Sequence, residues 1–229
     1  RLLGTDTLTV ANNLHIENGF INSNTVRLSG GLTVGSGFEP GSTTYLFAGG
    51  ASARNITLPV GNYRDLVVDD ALCTVNFPGG TISVNEISLI TGTIEQNNTI
   101  LTLGGTYLQE GGTFEGGTAA LTFTRQIDIN GGTFNAPSNN LLLDNHYTQT
   151  GGTFNANSAR VTTTRQFNLL GGTFNAGSDT VLLDGGQFTF SNGNLNAGTA
   201  PFIISSLYQK DDNNFPHNPR GLSVNGTFR

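Results

Sequence analysis

The sequence predicts an all-β fold, a parallel β-helix (β-solenoid) with about three short strands in each coil of roughly 18–20 residues. Three observations predict it. Gly-Gly-Thr-Phe occurs four times, at Gly111–Phe114, Gly131–Phe134, Gly151–Phe154 and Gly171–Phe174, always 20 residues apart. Aligned on that period, the apolar residues fall into columns. Within each copy they alternate with polar residues over runs too short for a helix, which is the pattern of half-buried strands.

The strongest column holds Phe114, Phe134, Phe154 and Phe174, with Ile94 ahead of it; it is the expected core stack. A second holds Leu101, Leu121, Leu141, Val161 and Val181, and a third Leu103, Phe123, Leu143 and Leu183, interrupted by Thr163. The fourth runs Ile87, Tyr107, Ile127, Tyr147, Phe167 and, after one inserted residue, Phe188. Thr, Val, Ile and Phe suit a pleated surface. The glycine pair supplies the positive φ of a tight corner. Asn135, Asn155 and Asn175, stacked at the same period, are placed to form an amide ladder.

Residues 1–200 read as one continuous solenoid, most regular over 91–195, with a loop insertion near 48–64. In the N-terminal third the period loosens: Leu14-His15-Ile16 and Leu32-Thr33-Val34 are 18 apart, as are Gly19-Phe20 and Gly37-Phe38, while Thr25–Leu28 and Thr44–Phe47 are 19 apart. Gly49–Ala53 reads as a loop, and Pro59 argues against a central strand beside it. Asp69-Asp70 reads as a solvated turn between strands. After Gly198 the repeat ends, and 201–229 reads as an irregular loop followed by a terminal strand that pairs with the next unit. Asn225-Gly226-Thr227-Phe228 looks like one more Gly-Gly-Thr-Phe. Dividing 229 residues by one coil gives roughly eleven coils and about 50 Å of stack.

Charged residues are 11% of the chain against 36% hydrophobic, so the surface is amide- and hydroxyl-rich while the chain can still bury a core. The net charge is −6, with nine Arg and the single Lys210, and no basic stripe points to nucleic acid. No apolar run approaches a membrane span. Cys73 is alone, which leaves no disulfide framework or cysteine metal site and marks it as a small core hydrophobe. The chain starts at Arg1 and contains no Met, as expected of a processed or excised piece of an exported protein.

A two-coil alternation overlies the single-coil repeat. Thr124-Arg125-Gln126 returns as Thr164-Arg165-Gln166, and Leu143-Asp144 as Leu183-Asp184. Buried positions alternate as well: Gln109, Ile129, Gln149, Leu169. This spacing avoids stacking like charges and sets Arg125 and Arg165 beside Asp144. Arg125, Asp144, Arg165 and Asp184 therefore form a possible glycan face.

An enzyme would need carboxylates converging on one cleft. Glu110, Glu115, Asp128, Asp144, Asp179 and Asp184 instead fall at different places around the coil, apart from Asp144 and Asp184, which share a column two coils apart. His15, His146 and His217 show no metal-ligand spacing. No catalytic residue, cofactor or metal is expected. The Thr column (Thr93, Thr113, Thr133, Thr153, Thr173) is a regular hydroxyl array of the kind that orders water, which raises ice binding as a lesser alternative.

Gly-Ser-Thr-Thr-Tyr-Leu-Phe at 41–47, Arg64-Asp65-Leu66-Val67-Val68, and Gly-Gly-Thr-Phe-Asn-Ala at 131–136, 151–156 and 171–176 resemble the β-strand-repeat regions of large secreted bacterial surface proteins, the filamentous-haemagglutinin-like adhesins among them. The resemblance is periodic and compositional over residues 14–198. It implies a triangular, right-handed parallel β-helix, export to the cell surface and a fibrous or adhesive role. Neither terminus shows a polar cap, and a solenoid normally needs one. The expected function is accordingly an extracellular structural module, one protomer of a surface filament, matrix fibre or adhesin stalk. Its expected partners are copies of itself, head to tail, or adjacent tandem units, with surface glycans as a further possibility. The expected assembly ends are Leu8, Thr9 and Val10 at one side and Leu222, Val224 and Phe228 at the other. The alternative is a carbohydrate-binding or carbohydrate-cleaving β-helix.

Overall fold

In the computed structural model the chain winds into a parallel β-solenoid of about ten turns, without helices. The structure describes residues 3–199, 201–205 and 222–223. The turn count falls just short of the length-based expectation because 206–229 contribute only Leu222–Ser223 to the described strands.

From Thr99 onward each coil carries three strands, one per face. The first face stacks Thr99–Leu103, Leu121–Phe123, Leu141–Leu143, Val161–Thr163, Val181–Leu183 and Phe202–Ile204. The second stacks Tyr107–Gln109, Ile127–Ile129, Tyr147–Gln149, Phe167–Leu169 and Phe188–Phe190. The third stacks Thr113–Glu115, Thr133–Asn135, Thr153–Asn155, Thr173–Asn175 and Asn194–Asn196. All these pairings are parallel, and repeat position lies over repeat position, as Phe134 on Phe114 and Thr133 on Thr113.

Strand alternation sends one set of side chains inward on each face. On the third face only the central residue points in, so Phe114, Phe134, Phe154 and Phe174 meet as a column of fully buried rings. Their centroids are 4.7, 5.0 and 4.6 Å apart with planes 5° from parallel. The coil spacing therefore imposes a stacking distance that aromatic rings tolerate well, and each ring withdrawn from water contributes a few kcal/mol, at about 25 cal/mol per Å². The Tyr107 and Tyr147 rings stand edge-on to this column, 6.0 Å from Phe114 and 5.7 Å from Phe154.

Buried polar groups are answered within the coil or by the next one. The Tyr107 hydroxyl donates to Gln109 Oε1 at 2.9 Å, and Gln109 Nε2 donates to the Thr133 carbonyl at 3.0 Å. Two coils on, Tyr147 and Gln149 repeat the arrangement at 2.7 Å, with Thr173 as the carbonyl. The alternate coils fill the glutamine position with Ile129 and Leu169, both buried. Burial drives the hydroxyl pKa of Tyr107 and Tyr147 well above the ordinary tyrosine value, so both stay proton donors. Among the described residues two buried polar atoms go unanswered: Thr163 Oγ1, fully buried in the third apolar column, and Arg54 Nε.

The N-terminal half uses longer strands that bend past corners unbroken, Asn62–Asn76 and Gly80–Glu95. There the structure departs from the sequence reading in three places. Leu14–Phe20 pairs with Leu32–Glu39 in the expected register through Ile16↔Val34, then slips by one, so Gly19 lies opposite Phe38 and not Gly37. A one-residue slip exchanges the two faces: Phe38 is buried, while Phe20 is 48% exposed. Within 48–64, the expected loop insertion, Arg54–Thr57 forms a strand that pairs with Cys73–Asn76. Asp70 does not sit in a solvated turn; it lies within the strand Asn62–Asn76 and is 7% exposed, while Asp69 faces solvent.

Candidate functional site

Three surfaces of the solenoid can meet a partner: its first coil, one corner and one face.

In the first coil, Leu3–Val10 pairs with Asn22–Leu28, and Leu14–Phe20 pairs with Leu32–Glu39. Among the described residues nothing pairs with the opposite edge of either strand. Leu8, Val10, Leu14 and Ile16 pack against the core yet are only half-buried, and Thr9 is exposed. The Ser29 N–H donates to the Val10 carbonyl at 3.0 Å, so the Val10 peptide faces the second coil. Strand alternation then turns the Thr9 peptide outward. At the other side Leu222 lies over Leu195, which lies over Phe174. By backbone register Leu222 thus stands at the repeat position of Phe174 and Leu195. Val224 and Phe228 lie outside the described residues.

The corner between the first and second faces carries the Arg/Asp alternation. Going up the stack it presents Asn85 and Glu86, then Gly104–Thr106, Thr124–Gln126, Asp144–His146 and Thr164–Gln166. Arg125, Arg165, Asp144 and Asp184 are all exposed. Threonine, not arginine, stacks directly on the aspartate, and the contact made there is a hydroxyl one. Thr164 Oγ1 donates to Asp144 at 2.8 Å, and Ser205 Oγ donates to Asp184 at 2.7 Å. Neither Arg125 nor Arg165 forms an ion pair among the described residues. Below Arg125 the side-chain-free Gly104–Gly105 step opens a groove of about 410 Å³, walled by Asn85, Glu86, Arg125, Gln126 and Asn145.

The third face is the most regular surface. Asn155 Nδ2 donates to Asn135 Oδ1 at 2.7 Å, Asn175 to Asn155 at 2.7 Å and Asn196 to Asn175 at 2.6 Å. The chain of amides ends on both oxygens of Glu115, each 3.0 Å from Asn135 Nδ2. The amide ladder expected from the spacing is therefore present, and it reaches one residue further at each end. Because Glu115 accepts only, every amide in the ladder is oriented the same way. Beside it runs the Thr row, paired in register from Thr93 to Thr173.

One feature of the corner near residue 50 escaped the sequence reading. Arg54 Nη1 lies 2.9 Å from Asp70 Oδ2, with both side chains under a tenth exposed. The same guanidinium donates to the carbonyls of Ser29 at 2.9 Å and Leu28 at 3.2 Å. Burial alone would raise the Asp70 pKa; the Leu72 and Gly50 N–H donors and the Arg54 charge more than reverse it, leaving it below the ordinary value. A Cβ on Gly50 would stand 1.5 Å from Arg54 Nη1, so glycine makes the room. Cys73 is buried as expected, and burial raises its thiol pKa.

Among the described residues no group of three or more His, Cys, Asp or Glu is placed to hold a metal ion, and no helix is long and apolar enough to cross a membrane. No family model, curated protein or solved structure matches the chain.

Proposed function

We propose that this solenoid is a structural module of an extracellular or cell-surface fibre, in which coils of one unit continue onto the next by parallel strand pairing. The observation that carries this reading is the first coil. It offers an outward-facing peptide edge at Thr9 beside half-buried Leu8, Val10, Leu14 and Ile16. An edge of that kind is a template for another strand, and the next coil, from a tandem unit or a second copy, buries the apolar side chains. The stacked rings and amide ladder support a load-bearing role, since both run along the axis and tie each coil to its neighbour. The function is mechanical, not catalytic, and the chain acts without a cofactor.

Electron microscopy of the purified chain over a concentration series tests this. The expected result is rods that lengthen with concentration in steps of about 50 Å. Thr9→Pro removes the outward N–H while leaving the ladder to the second coil intact, and proline is tolerated on sheet edges; the variant is expected to keep its fold by circular dichroism and to remain as single units. Single particles of the unaltered chain at every concentration would overturn head-to-tail assembly.

A further inference from the structure

We infer that the corner groove beneath Arg125 is a binding site for a neutral polysaccharide, lying along the solenoid axis and read by hydrogen bonds to its hydroxyls. The inference does not depend on end-to-end assembly.

Four observations carry it. The groove, about 410 Å³, falls in the range of small-ligand sites and admits one or two sugar rings. Its walls mix donors and acceptors. The Arg125 guanidinium and the Asn85 and Asn145 amides can donate, while Glu86 only accepts. A sugar hydroxyl is both donor and acceptor, so vicinal hydroxyls match such a mixed set, whereas a polyanion would meet Glu86.

The third observation is the unequal engagement of the corner charges. Asp144 and Asp184 each accept a hydroxyl from the coil above, but Arg125 and Arg165 are exposed and form no ion pair among the described residues. The corner thus holds its carboxylates in place and leaves its guanidiniums, the best bidentate donors available, unoccupied.

The fourth is the period. Arg125 and Arg165 are two coils apart, about 10 Å at strand spacing, which approaches the length of a disaccharide in an extended β-1,4-linked chain. A polymer seated at Arg125 can therefore reach Arg165 with the chemically equivalent sugar. Each contact is solvent-exposed and individually weak, so binding gains strength from repetition along the strand. No aromatic ring lines the groove, which places the sugars edge-on to the corner.

Affinity electrophoresis of the whole chain tests this, through native gels containing hydroxyethylcellulose or galactomannan as neutral probes and hyaluronan as the anionic one. The expected result is retardation in the neutral gels that survives about 0.5 M NaCl and falls about tenfold in Arg125→Ala/Arg165→Ala. Both arginines are exposed, so the variant should melt like the parent by circular dichroism. Glu86→Gln is expected to weaken neutral binding, because a charge-assisted acceptor of two hydroxyls becomes a neutral amide. Absence of retardation in the neutral gels, equal retardation of the double variant, or tighter binding by Glu86→Gln would each overturn the proposal. So would retardation confined to hyaluronan and abolished by salt, which would mark ion exchange.

Discussion

Asn155 donates through Nδ2 to Asn135 Oδ1 at 2.7 Å, one coil below it. The bond belongs to a chain of amides whose direction is set by Glu115, the acceptor at its foot. Reversing one member should therefore disturb more than one bond.

Asn155→Asp is expected to lower stability by about 1–3 kcal/mol at neutral pH, because an acceptor-only group would face the Asn135 oxygen. The introduced carboxylate has its pKa raised by that contact. Its penalty should shrink as pH falls through its raised pKa, when the protonated form donates in place of the lost amide. Thermal melts of parent and variant between neutral and acid pH check both the loss and its recovery.

Phe154 lies between Phe134 and Phe174, 5.0 and 4.6 Å from each. Phe154→Ala should cost about 3–5 kcal/mol, and Phe154→Leu distinctly less. Since each coil rests on its neighbours alone, the loss should be local. Hydrogen exchange is expected to show opening centred on 134–174 while the coils near Tyr45 stay protected.

Thr163 offers the opposite experiment. Its buried hydroxyl lacks a partner, so Thr163→Val, which keeps the shape, should stabilise the protein by about 1 kcal/mol. A melting temperature equal to or below that of the parent would show that the hydroxyl is answered.

Gly132 has φ +69°, and a Cβ there would stand 2.3 Å from the Gly112 carbonyl oxygen. Gly19 has φ +94° with nothing within 4 Å. Gly19→Ala should therefore cost only the backbone strain, about 1–3 kcal/mol, and Gly132→Ala appreciably more, since two coils must part. Parallel chemical denaturation of the two variants separates conformation from contact.

Acid should release the corner near residue 50. The Asp70 pKa is depressed in the fold, so its contribution is complete above the unfolded carboxylate value, about 3.9, and is lost as pH falls below it. Asp70→Asn is expected to be less stable at neutral pH and to lose less than the parent on acidification, as melts across that range would report.

The regular coils were legible because each of their positions is repeated. Four copies of Gly-Gly-Thr-Phe fix the period, and the period alone places Phe134 on Phe114 and Asn155 on Asn135. The Arg54–Asp70 pair was not legible. It occurs once, it lies where coil length changes, and nothing in an isolated Asp69-Asp70 tells which carboxylate turns inward. The slip at Gly19 has the same origin, since a local bulge changes which residues face each other without changing composition. At the charged corner the columns were legible but the hydroxyl bonds were not. Threonine above aspartate is a sufficient partner, and that left the arginines to solvent.

The buried Tyr–Gln pairs recur every second turn, at 107/109 and 147/149, in step with the outer Arg and Asp positions. This gives the molecule a parity. Removing the twenty residues 145–164 would bring Asp184 directly onto Asp144, whereas excising forty from the regular region restores each neighbour to its kind. Growth or shrinkage of such a chain over evolutionary time should accordingly leave traces in even numbers of turns, and a builder wanting a longer version should copy turns by the pair.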